Sequence, residues 1–164
     1  MMTLKQAVDA LAQGKVSARK LTETALDAAR NPQGEGQRIF LKLWPQQALE
    51  AAEAADARRQ RGEARCAFDG LPISVKALFD IAGEATSGGS TRLAEAAPAA
   101  EDATVVTRLR QAGAAIVGST NMTEFAFSGL GINPHYGTPA NPWQREQRLI
   151  PGGSSSGAAV AVSD

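Results

Sequence analysis

Two stretches of this sequence hold side chains able to move protons or attack a carbon atom. The first is Lys76, inside the apolar run Leu71-Pro72-Ile73-Ser74-Val75-Lys76-Ala77-Leu78-Phe79. If the run is a strand, Ser74, Lys76 and Leu78 share one face, and Ile73, Val75, Ala77 and Phe79 share the other. Burying an ammonium in such a run is costly, and desolvation favours the neutral amine. A neutral lysine is a competent general base. A strand-end lysine that snorkels to water is the plainer alternative. The second stretch is Pro151-Gly152-Gly153-Ser154-Ser155-Ser156-Gly157, which runs straight into the apolar segment Ala158–Val162. Its glycines permit backbone angles closed to other residues, and a helix start offers free N–H groups to an anion or oxyanion. The three successive hydroxyls are candidates for proton relay or nucleophilic attack. Serine as an ordinary helix N-cap is the simpler reading.

Other chemistries find less support. Gly152 and Gly157 have the spacing of a phosphate-binding loop, but Ala158-Ala159 stand where that motif requires Lys and Ser or Thr. His135, the single histidine, lies in Gly131-Ile132-Asn133-Pro134-His135-Tyr136-Gly137 with no nucleophile motif nearby, and reads as a structural loop histidine. Cys66 is the single cysteine, which excludes an internal disulfide and a cysteine-cluster metal site. With one histidine, an all-histidine zinc site is excluded as well. Lys plus Arg and Asp plus Glu number 17 each, for a formal charge of zero. That balance lacks the basic excess that nucleic acid or a membrane surface selects. With no apolar run of membrane-spanning length and no signal-like N-terminus, the expectation is a cytoplasmic protein.

The elements that must position these residues fall into two compositions. Residues 1–65 are rich in Ala, Leu, Glu, Arg and Gln and read as a helical lead-in. Thr3 caps a helix that stops at Gly14, and Ser17 caps a second that ends at Asn31-Pro32. Arg38–Trp44 is an extended piece. Pro45 opens a third helix, with Ala48, Ala51, Ala52 and Ala55 facing inward and an end near Gly62. From residue 66 to 164 the order is strand, Gly/Ser/Thr-rich loop, helix from Asp102 to Gly113, and strand Ala114–Gly118. Asn121–Phe125 then starts a short helix, and Gly152–Gly157 opens a last one. This order predicts an α/β fold: N-terminal helices leading into a mixed, mainly parallel central sheet flanked by helices. Such a sheet is incomplete within this sequence, and its exposed edge would favour self-association or a missing C-terminal part.

Together these blocks closely resemble the amidase signature family. The resemblance rests on Gly70–Lys76, on Asp102-Ala103-Thr104-Val105-Val106, and on Gly113–Phe125 with Ser119-Thr120-Asn121-Met122-Thr123-Glu124 at its centre. Asn133–Pro139, Asn141-Pro142-Trp143 and Pro151–Ser155 continue it in order, so that it covers residues 66–164. The resemblance implies hydrolysis of amide carbon–nitrogen bonds of a small-molecule substrate through a Ser–cis-Ser–Lys triad without cofactor or metal. Lys76 then matches the catalytic lysine and Ser154 the bridging cis-serine, with a cis Gly153–Ser154 peptide and Gly152, Gly153 and Ser155 as the supporting turn. Phe127 and Ser128 match positions near the acyl pocket. The family's nucleophile lies in a later block, Gly-x-Asp-x-Gly-Gly-Ser, which these residues do not include, so the 164-residue chain alone is expected to be inactive. Ser156 departs from the family, many of whose members carry Gly there. The amidase component of a glutamine-dependent tRNA amidotransferase is the alternative within the family. Residues 77–80 and 129–137 look more like stand-alone amidases. A catalytically inert fragment is the remaining expectation.

Overall fold

A computed structural model describes residues 2–164. The chain forms two compact units, each built from segments distant in sequence: Met1–Asp27, Trp44–Ile73 and Thr107–Val117 in one, Ala28–Leu43, Ser74–Val106 and Gly118–Asp164 in the other.

In the first unit, α1 (Leu4–Ala12) opens with a capping box in which Thr3 and Gln6 each bond the other's backbone N–H. It is followed by Gly14 at φ 66°, the left-handed terminator expected there. Ser17 Oγ accepts from Lys20 N at the start of α2 (Ala18–Arg30). The Asp56 carboxylate of α4 (Pro45–Gln60) accepts from Ala18 N and Arg19 N at 2.7 and 3.0 Å. An anion is thus fixed on a helix N-terminus, where the dipole favours it. Ala48, Ala52 and Ala55 of α4 are fully buried. Their small side chains allow Gly70 to lie where any Cβ would strike those of Ala18 and Ala55. Leu11, Ala18, Ala52, Ala55, Leu71 and Ala115 form the core of this unit.

The sheet has three strands in the order β1-β3-β2: β1 (Phe40–Leu43), β2 (Pro72–Lys76) and β3 (Ala115–Thr120). β1 is antiparallel to β3, with Phe40 opposite Thr120 and Leu43 opposite Gly118. β2 is parallel to β3, since Ala115 N bonds Leu71 O and Ala77 N bonds Thr120 O further along both strands. The crossover between them contains α5 (Thr104–Gln111), as a parallel pair requires. The central strand β3 is buried almost throughout, Ala115, Ile116, Val117 and Thr120 being 4% exposed or less. This is the α/β fold with a mixed sheet that the sequence predicts.

Three boundaries differ from expectation. Gly36–Ile39 is a helical turn, α3, and the extended piece begins only at Phe40; Gly36 lies so close to the Ala29 carbonyl that no Cβ would fit. β2 stops at Lys76, where the chain turns and Phe79 N bonds Lys76 O at 3.0 Å. The helix expected from Asn121 is replaced by a short 3-10 turn, Glu124–Ala126. Asn121 explains it: the side chain is buried, its Oδ1 takes Met122 N, and its Nδ2 donates to the carbonyls of Arg38 and Gly137. A side chain that captures the backbone in this way competes with helix.

Candidate active site

All residues of the candidate site belong to the second unit. Lys76 is the last residue of β2 and is partly buried. Its Nζ donates to Ser154 Oγ at 2.6 Å. Among the described residues no carboxylate lies within ion-pair distance of this amine, so no ion pair supports its positive charge. Burial therefore pushes the Lys76 pKa below the ordinary lysine value.

Ser154 is held by a turn fixed on two sides. The Gly153–Ser154 peptide is cis, the isomer implied by the resemblance. Gly153 N donates to Gly129 O at 2.8 Å, and Thr123 N donates to Ser154 O at 3.0 Å. The segment from Thr123 to Gly129 is thus anchored at both ends to the two residues of that peptide. Phe127 and Ser128 sit on this segment: Phe127 is 94% exposed, and Ser128 Oγ accepts from Leu130 N. Phe125 and Ala126, with φ of 51° and 58°, occupy the left-handed region, which non-glycine residues enter rarely. Phe125 N bonds Gly88 O, and Gly88 N bonds Ala77 O, the residue after Lys76. The same loop is therefore bonded directly to the serine end of the pair and, through Gly88, to the residue after the lysine.

Glycine is obligatory around the turn. Gly131, at φ 83°, packs on Gly152 so closely that a Cβ would strike its carbonyl oxygen. Gly157 lies against the backbone of Ile39 and Asn121, and its N–H donates to Asn121 O. This contact seats the start of α6 (Ser156–Ser163). Ser155 is exposed. Ser156 is fully buried, and its hydroxyl finds no hydrogen-bond partner among the described residues.

His135 holds structure, as its loop context predicts: Nε2 lies 3.1 Å from Glu124 Oε1 and its N–H donates to Asn133 Oδ1. A hydrogen bond from Ser90 holds the Glu124 carboxyl below the usual range, against the opposing effect of burial and with help from His135. Cys66 Sγ is 3.5 Å from Ala112 O in the first unit, remote in chemistry from the pair. Sequence reasoning missed the residues that position the turn, Thr123, Asn121 and Asn133. Asn133 is buried and donates to the carbonyls of Gly89 and Met122. The one available signal was two amides and a hydroxyl embedded among small and apolar residues, where polar groups need partners.

Chemically, the arrangement is a lysine that burial makes easier to deprotonate than an exposed one, bonded to a hydroxyl that can pass a proton between that amine and a third group. The pair thus joins a lysine at the end of a parallel strand to a serine in a glycine-rich turn of an α/β fold. The Amidase family pattern matches residues 20–164, and the chain belongs to that family. The chain is 43% identical over 163 residues to the A-subunit of glutamyl-tRNA(Gln) amidotransferase from Chloroflexus aggregans, covering 99% of this chain and 32% of that protein. Among solved structures it resembles native peptide amidase from Stenotrophomonas maltophilia, with 35% identity, TM-score 0.81, and coverage of 96% of this chain and 33% of that one. It also resembles a chain of a vestigial protein complex studied for the origins of an s-triazine catabolic enzyme. There the identity is 39%, the TM-score 0.87, and the coverage 98% of this chain and 34% of that one. The chain thus spans about a third of the length of these relatives.

Proposed function

We propose that the protein cleaves the carbon–nitrogen bond of an amide by acyl transfer, with Lys76 as base and Ser154 as the serine that relays the proton. The observation that carries this reading is the 2.6 Å hydrogen bond from a partly buried lysine without a carboxylate partner to a serine in the glycine-rich turn. In the acylation step, neutral Lys76 takes the Ser154 proton while Ser154 takes that of a nucleophilic serine, whose oxygen adds to the amide carbon. The proton returns through Ser154 to the leaving nitrogen, the carbon–nitrogen bond breaks, and an acyl ester forms. Water then releases the acid by the same path. In this reading the nucleophile is a serine of the Gly-x-Asp-x-Gly-Gly-Ser type, outside these 164 residues. Phe127 and Ser128 line the acyl side, and Gly152, Gly153 and Ser155 support the turn. The α/β residues 66–164 carry the chemistry, and residues 1–65 lead into them.

The test is turnover of a panel of simple amides by the protein at the length of its relatives, beside Lys76→Ala and Ser154→Ala. Turnover that survives Lys76→Ala overturns the reading.

A second reading is favoured by the names of the relatives: several proteins 41–43% identical to this chain are A-subunits of glutamyl-tRNA(Gln) amidotransferase. In that case the amide is glutamine, and activity depends on partner proteins. Glutamine hydrolysis that arises only with co-purified partners selects this reading; hydrolysis of other amides by the isolated protein selects the first.

A further inference from the structure

We propose that Thr123 is a positioning residue that sets the Lys76–Ser154 hydrogen bond by closing the buried side of the Gly153–Ser154 turn; the inference rests on the reading above that this bond is the proton path. Thr123 reaches both residues of the turn. Its N–H donates to Ser154 O at 3.0 Å, and its Oγ1 sits 2.9 Å from the point where a side chain on Gly153 would begin. The N and Cα of Gly131 stand 2.6 and 2.7 Å from the same point. The Cβ side of Gly153 is therefore closed by a threonine side chain and a glycine backbone together.

The Thr123 side chain is not there for a hydrogen bond of its own. It is 7% exposed, and its hydroxyl has no partner among the described residues. A buried hydroxyl without a partner is a cost to stability, so what Oγ1 contributes is its volume against Gly153. The β-branched side chain is stiff at χ1, which keeps that volume in one place. The backbone around it is equally fixed: Ala126 N bonds Thr123 O at 2.9 Å, and Met122 is tied through its N–H to Asn121 and through its carbonyl to Asn133. With the side chain shortened, the turn can relax toward Thr123, Ser154 Oγ draws away from Lys76 Nζ, and water gains access to the amine.

The experiment uses the protein at the length of its relatives, with [13C]ε-lysine labelling and Lys76 assigned through Lys76→Arg. Thr123→Ala moves the Lys76 titration midpoint upward and carries the base-dependent limb of the kcat–pH profile with it. The same variant lowers kcat about tenfold or more, within the range known for small misplacements of catalytic groups, with KM changed less than twofold. Thr123→Val keeps the shape without the hydroxyl and retains the wild-type midpoint and limb. A Thr123→Ala protein with the wild-type midpoint overturns the proposal, as does a Thr123→Val protein shifted as far as Thr123→Ala. If Thr123→Ala does not fold, Thr123→Ser replaces it: serine keeps the oxygen but not the branch that fixes it. An upward shift is expected in that variant, and none overturns the proposal. The midpoints need no turnover, so a wild-type protein inert toward amides removes the proposed function while the role of Thr123 is still decided.

Discussion

Lys76 and Ser154 stand 78 positions apart in the chain and are joined by one 2.6 Å hydrogen bond from amine to hydroxyl. Among the described residues the amine has no carboxylate in ion-pair range, and burial sets the direction of its shift. That relationship fixes the pH behaviour. The folded lysine titrates below the ordinary value of about 10.4, so the amine is neutral over a range in which an unfolded lysine is still charged. The cost of burying the ammonium is present below the lowered pKa and fades as pH rises through it. Activity that requires the neutral amine is expected to rise through the same interval. A kcat–pH profile whose rising limb falls at or above the ordinary lysine value would contradict a neutral Lys76.

Substitution separates stability from function at this position. Lys76→Met keeps most of the apolar stem and removes the charge. It should leave the fold as stable or more stable, by roughly 0.5–2 kcal/mol at neutral pH, as trades of function for stability commonly do. Amide turnover should be lost. Thermal unfolding of both proteins checks the first part, and a loss of stability would place Lys76 among the supports of the fold.

Ser154→Ala leaves the backbone of the turn in place, since the bonds from Thr123 N and to Gly129 O are main-chain. Only the relay hydroxyl goes. The expected loss in kcat is about 100- to 10,000-fold, the span usual for a positioned proton-transfer group. The Lys76 amine loses its hydrogen-bond partner in the same variant. A kcat within threefold of wild type would show that Ser154 carries no proton.

Gly131 and Gly129 offer a matched pair. A Cβ at Gly131 meets the Gly152 carbonyl oxygen at a left-handed φ of 83°, whereas a Cβ at Gly129 meets nothing within 4 Å. Gly131→Ala is expected to cost about 1–3 kcal/mol, in line with glycine replacements where the backbone forbids a side chain. Gly129→Ala should lie within about 0.5 kcal/mol of wild type. Urea midpoints with unchanged m-values decide it, and equal costs would mean that the packing of Gly131 on the turn is unimportant.

How much of this is legible in the sequence depends on whether the signal is local. Helix boundaries at Thr3, Ser17 and Pro45 follow from capping chemistry, which acts within a turn, and they stand where that chemistry puts them. Lys76 and Ser154 can be singled out because a lysine in an apolar run and serines after paired glycines are anomalies in themselves. The segment 121–125 reads as the start of a helix and is not one, because its conformation is dictated from a distance. Asn121 commits its side chain to the carbonyls of Arg38 and Gly137, 83 and 16 positions away. Thr123 carries no local signal for the same reason, its effect lying in contact with Gly153. The early end of β2 at Lys76 reflects a turn closed by Phe79 and by the bond from Gly88 to Ala77, neither of which periodicity encodes.

The first unit has its own weakness at low pH. Asp69 is fully buried, and burial by itself raises its pKa. The hydrogen bonds from Arg58 and from Arg65 N, with the charges of Arg58 and Arg59, outweigh that and hold it below the usual carboxylate range. Arg58 grips it through two nitrogens, at 3.0 and 2.6 Å. A carboxyl depressed in the fold gives stability that is complete above its unfolded pKa of about 3.9 and is lost as pH falls toward the folded value. Acid unfolding of the wild type should therefore steepen below about pH 4. Asp69→Ala should remove that dependence and cost about 3–5 kcal/mol at neutral pH, because it leaves Arg58 charged and without its partner in a place with little water. Arg58→Met/Asp69→Leu, which removes both charges, should recover much of the loss. A double variant as unstable as Asp69→Ala would show that packing around Gly113, whose Cβ position abuts the Asp69 carboxylate, matters more than the ion pair.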